Sequence, residues 1–83
     1  MGYIKIDGMF VRDLLEDPVD RALVNAVNEI VHKMGKQTIA EFVESPAIRS
    51  ALAEIGVDFA QGYATGRPVP LKELISSHPR KPR

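Results

Sequence analysis

Eighty-three residues amount to one small domain or part of a larger one, because so short a chain buries only about 60–65% of its unfolded surface. Eleven basic residues offset eleven acidic ones and 45% are hydrophobic, which argues against disorder over most of the length and against DNA or an anionic membrane as partner. The absence of cysteine excludes disulfides and thiolate zinc sites, no apolar run reaches the roughly 18 residues of a membrane span, and no signal peptide precedes the first strand, so a cytoplasmic location is expected.

The first element is the strand "YIKIDG", residues 3–8. Strand side chains alternate, so Tyr3, Lys5 and Asp7 share one face while Ile4 and Ile6 share the other. "DLLEDPVDRALVNAVNEIVHKMG" then predicts a helix, with Asp17 as cap, Pro18 in the first turn and Asp20 near the positive end of the dipole. Leu23, Val27, Ile30, Val31 and Met34 make its apolar stripe, and Gly35 suits the exit. "QTIAEFV" is a second strand. "SPAIRSALAEIG" repeats the helix grammar, with Ser45 as cap, Ile48, Leu52 and Ile55 on one face, and Gly56 at the exit. "VDFAQGY" reads as a third strand, "ATGRPVP" as a loop and "PLKELISS" as the start of a third helix. Residues 1–75 thus form the folded part, and 76–83, ending "HPRKPR", a basic, proline-rich disordered tail.

The predicted order is βαβαβα, an α/β fold of parallel strands joined by right-handed crossovers. Three strands with three helices cannot cover both faces of a parallel sheet, and both outer strands expose unpaired edges. A section of a larger α/β structure is expected. Polar residues gather where the strands run out: Asp7 at the first, Glu41 and Glu44 at the second, Gln61 at the third. In parallel folds the carboxyl ends of strands carry the sites. Three carboxylates, Lys5 and an amide there would suit a hard cation with oxygen ligands. Glu41 shares a face with Ile39 and Val43, a charge on an apolar side that calls for a metal or a basic partner. The alternative is a plain ion pair of Lys5 with Asp7 or Glu41. His32 and His78 have no second histidine or cysteine near them and read as incidental; Met9 and Met34 read as packing. Gly62 and Gly66 mark a turn, with phosphate cradling the weaker reading.

"YIKIDGMFVRDL", "KQTIAEFVES" and "IGVDFAQGYATGRPVPL", in this order and spacing, resemble the C-terminal part of EAL domains, the cyclic-di-GMP phosphodiesterases of bacterial signalling. The resemblance runs from about Tyr3 to Leu71 and implies the last three β/α units of a modified TIM barrel, hence an incomplete barrel. It implies hydrolysis of cyclic-di-GMP to pGpG with two Mg²⁺ or Mn²⁺ ions in the complete domain. Lys5 is similar to the lysine that holds the attacking water, Asp7 to its acidic companion at the metal centre, and Glu41 to a metal-bridging carboxylate. Glu44 and Gln61 resemble residues orienting water and ligand, and Gly62, Arg67 and Pro68 fall in the substrate-binding stretch. The family's usual glycine after Glu41 is Phe42 here. Lys5 and Asp7 would face the barrel interior and the two isoleucines the helices.

The family's E-A-L motif, its asparagine and second glutamate ligands and its paired aspartates do not occur in these 83 residues. The expectation is a fragment inactive by itself. The alternative is a non-catalytic EAL-like module that binds nucleotide or another protein. Open edges at Tyr3–Asp7 and Val57–Tyr63, with the helix from Val19 to Met34, predict a homo-oligomer, and GGDEF or sensor domains are the expected companions in a parent protein.

Overall fold

Alternating apolar segments and capped helices place the elements along the chain, and the computed structural model describes residues 2–62 and 66–71 of it. They are β1 (Tyr3–Ile6), α1 (Gly8–Arg12), α2 (Pro18–Lys33), β2 (Gln37–Glu41), α3 (Pro46–Ile55), β3 (Phe59–Gln61) and β4 (Val69–Pro70). One four-stranded sheet runs in the order β1-β2-β3-β4. The first three strands are parallel, with Lys5 opposite Ile39, Ile39 opposite Phe59, and Glu41 opposite Gln61. The α/β class and the parallel crossovers expected from the pattern are present.

The sheet has two unlike faces. Ile6, Ala40 and Ala60 point to the helices and join Val11, Leu14, Val24, Leu52 and Val57 in one buried core. Lys5, Ile39, Glu41, Phe59 and Gln61 share the other face by register, and Tyr3 meets Phe59 edge-on there with ring centroids 5.7 Å apart. The isoleucines of β1 therefore do turn toward the helices and Lys5 away from them.

Asp17 caps α2 through a 2.9 Å bond from the Val19 amide, and Ser45 caps α3 through the Ala47 and Ile48 amides. The face that α2 buries is not the stripe read from its apolar residues. Val24, Asn28 and Val31 are buried, Val27 partly so, whereas Leu23, Ile30 and Met34 are exposed. Asn28 lies on this buried face. Its amide donates to the Ile55 carbonyl at 3.3 Å and its Oδ1 accepts the Thr38 hydroxyl at 2.7 Å, so a polar residue occupies a core position.

Three further differences concern element boundaries. Five residues make α1, too few to show a period, and Asp7 leaves the strand to cap this helix. The segment read as a loop after Gln61 ends in β4, antiparallel to β3 with Ala60 opposite Val69, so β3 is not an open edge along that stretch. Pro70, expected to open a third helix, belongs to β4, and Leu71 follows it fully buried. The rest of "PLKELISS" and the 76–83 tail lie outside the described residues. No helix among the described residues is long and apolar enough to cross a membrane.

Candidate functional site

The parallel register carries Lys5, Glu41 and Gln61 to the carboxyl end of the sheet on its helix-free face. Lys5 Nζ lies 3.9 Å from Glu41 Oε2, and the two side chains are 58% and 28% exposed. An ion pair so open to water contributes well under about 1 kcal/mol, so its placement matters for chemistry rather than for stability. Lys5, Glu41, Phe42, Gln61 and Gly62 enclose a cavity of about 180 Å³. The Gln61 amide donates to the Gly66 carbonyl at 2.9 Å.

Asp7 is placed differently. Its Oδ1 accepts from the Met9 amide at 2.9 Å, because the strand ends at Ile6 and the chain turns straight into α1. It lines a second cavity of about 430 Å³ with Gly8, Arg12, Phe42 and Glu44. Glu44 reaches back toward the first cavity: a Cβ built on Gly62 would stand 3.2 Å from its Oε2. Arg67 and Pro68 are exposed and line neither of the two cavities. Of the residues singled out from sequence, the structure thus gathers Lys5, Glu41, Gln61 and Gly62, sets Asp7 and Glu44 beside them across Phe42, and leaves Arg67 and Pro68 apart.

Val43 does not share the Glu41 face. Phe42 has φ +59°, which interrupts strand alternation, and Val43 joins the helix-side core with Ala40 and Ile6. Glu41 thus keeps Ile39 and Phe59 on its face and has Lys5 as its charged neighbour there. Could these residues hold a divalent ion? Among the described residues no three of His, Asp and Glu come together as a ligand set. Glu41 presents a carboxylate and Gln61 an amide oxygen, whereas Mg²⁺ takes six oxygens in an octahedron. The described residues do not by themselves fit such an ion.

The opposite end of the strands carries a polar cluster that sequence reading missed. His32 Nε2 lies 2.6 Å from Asp58 Oδ2, and the same carboxylate oxygen accepts from the Thr38 amide at 2.9 Å. Asp58 returns a bond from its own amide to Thr38 Oγ1 at 3.1 Å. Burial pushes the Asp58 carboxyl up, but bonds from His32 and Thr38 outweigh it and hold the carboxyl below its ordinary value. His32 is thus a structural partner rather than incidental. The signal lay in residues 26 apart in the chain, which no local pattern connects.

Comparison with known proteins follows the same outline. The EAL domain family model matches residues 1–68. The cyclic di-GMP phosphodiesterase PdeB of Shewanella oneidensis is 48% identical over 69 residues, covering 83% of this chain and 8% of that protein. The bifunctional diguanylate cyclase/cyclic di-GMP phosphodiesterase MucR of Pseudomonas aeruginosa is 34% identical over 74 residues, 89% of this chain and 11% of that protein. The chain therefore spans about a tenth of the length of these relatives. Among solved structures, the cAMP- and cyclic-di-GMP-bound form of the EAL enzyme Bd1971 superposes with a TM-score of 0.74 at 32% identity, over 93% of this chain and 20% of that one. The EAL domain of Mycobacterium smegmatis DcpA gives 0.71 at 31% identity, over 99% and 38%.

Proposed function

The chain belongs to the EAL domain family, and from that premise we propose that it supplies the carboxyl-terminal part of a cyclic-di-GMP phosphodiesterase site. The observation that carries this reading is the convergence of Lys5, Glu41 and Gln61 from three adjoining parallel strands on one cavity. Two relatives are named as phosphodiesterases of this dinucleotide, and one structural neighbour holds it.

In the proposed role the Lys5 ammonium holds and polarises the attacking water, a position from which it acts on the transition state more than on bound substrate. In a complete domain Glu41 would supply one carboxylate toward a divalent metal, Mg²⁺ or Mn²⁺, whose charge would help to activate the water. Gln61 and Glu44 orient water and ligand, and Asp7 supports the centre from the cap of α1. Gly62, Arg67 and Pro68 contact substrate. The absent E-A-L and paired-aspartate motifs make the 83 residues inactive by themselves, since two-metal hydrolysis needs both ions held at once.

A second reading is a non-catalytic module that binds nucleotide or another chain, favoured by the lack of a ligand set among the described residues. In either case the location is the cytoplasm, the chain self-associates, and GGDEF or sensor domains are the companions; in the first reading the ligand is cyclic-di-GMP. Both readings leave the isolated chain inactive, and a graft separates them. Incubating the isolated chain with cyclic-di-GMP and Mn²⁺ yields no pGpG over a protein-free control. Residues 2–71 grafted into a complete EAL domain sustain hydrolysis; an inactive graft that still binds the dinucleotide would favour the second reading.

A further inference from the structure

Phe42 stands between the two cavities and lines both. Its φ of +59° lies in the left-handed region, where a bulky side chain is strained and glycine is the default. The strain persists only if surrounding contacts over-determine it. The Phe42 side chain is half exposed, and its other half lies over Gly8. A Cβ built there would fall 2.2 Å from Phe42 Cδ2, 2.9 Å from Cγ and 3.0 Å from Cβ. The side chain of residue 42 thus fills the space that a side chain at residue 8 would need.

Backbone conformation does not require glycine at residue 8. Gly8 begins α1, is buried, and has a φ outside the left-handed region, so space alone calls for it. In a helix glycine is otherwise a poor choice. A glycine that the backbone does not need therefore faces an aromatic residue that the backbone does not favour, and the ring accounts for the missing side chain at residue 8. The contact joins two corners: the end of β1, carrying Lys5 and Asp7, and the end of β2, carrying Glu41 and Glu44.

We infer that Phe42 and Gly8 form a size-matched lock between these corners, and that Phe42 is a positioning residue setting Lys5 against Glu41. The inference goes beyond the phosphodiesterase reading and does not depend on it.

The test uses the full chain with Gly8→Ala, Phe42→Gly and the double variant, followed by thermal unfolding and by ¹⁵N NMR of the Lys5 ammonium. Gly8→Ala lowers Tm by about 5 °C or more in the parent. In the Phe42→Gly background the same change costs nothing or raises Tm, because alanine is the better helix residue. Equal losses in both backgrounds overturn the lock. If Gly8→Ala does not fold, a folded double variant supports it and an unfolded one overturns it. The positioning role is read from the salt-sensitive ammonium shift that reports Glu41 beside Lys5. Each single lock variant abolishes that sensitivity, while Val57→Ala, a core change at the amino end of β3, lowers Tm and keeps it. Retention of the sensitivity in both lock variants would overturn the positioning role.

Discussion

Replacing Thr38 by valine is close to isosteric and, in a strand, favourable by propensity, yet the structure makes it costly. Thr38 is fully buried. Its hydroxyl proton goes to Asn28 Oδ1 at 2.7 Å, and the hydroxyl oxygen accepts the Asp58 amide at 3.1 Å. The Asn28 amide is already committed to the Ile55 carbonyl, so Oδ1 has no other donor among the described partners. Valine would strand one acceptor and one donor, each costing about 1–3 kcal/mol when left unsatisfied. Asn28 is only 3% exposed and the full penalty applies there; Asp58 is nearer solvent and part of its share is recovered. A total of about 2–4 kcal/mol follows, or a fall in Tm of roughly 10–20 °C for a domain of this size. Circular dichroism melts of Thr38→Val and of Thr38→Val/Asn28→Leu test it. The double variant removes the orphaned oxygen but frees the Ile55 carbonyl and leaves the Asp58 amide unpaired, so it should regain only part of the loss. A Thr38→Val protein within about 0.5 kcal/mol of the parent would refute the claim that these bonds hold the fold together.

Asp58 has a folded-state pKa held below its unfolded one, so its stabilisation is complete above the ordinary carboxylate range and fades as pH falls through the lower folded value. Acid titration of stability below about pH 4 should flatten in Asp58→Asn relative to the parent, and an unchanged acid limb would rule out this carboxylate as its source. In a complete EAL domain carrying the segment, Glu41→Gln should abolish turnover, and Lys5→Ala should lower kcat more than it raises KM; a pure KM effect would remove Lys5 from the water-holding role. Self-association is expected through the open edge of β1 and the exposed Leu23, Ile30 and Met34 of α2, and light scattering at low micromolar concentration should report a dimer or larger species. A compact, cooperatively unfolding monomer would count against it.

Local chemistry wrote much of this protein openly. Asp17, Ser45, Gly35 and Gly56 delimit α2 and α3 because caps and exits depend on residues adjacent in sequence. Alternation in "YIKI" and "QTIAE" placed Lys5 and Glu41 on one face for the same reason, since a strand's period of two is fixed by its backbone. The carboxyl-end position of Lys5, Glu41 and Gln61 then followed from strand order alone. Tertiary structure decided the rest. The buried side of α2 includes the polar Asn28, whose partners Thr38 and Ile55 lie 10 and 27 residues away. Asp7 was lost from the Lys5 face because the four-residue strand ends at Ile6 and Asp7 caps α1 instead of adding a fifth residue to it. Val43 crossed to the core because Phe42 adopts φ +59°, a conformation that an aromatic residue holds here against Gly8, 34 positions earlier. Periodicity reports what a residue does with its near neighbours in sequence; burial of a polar side chain and a strained backbone angle are settled by contacts the chain makes only once folded.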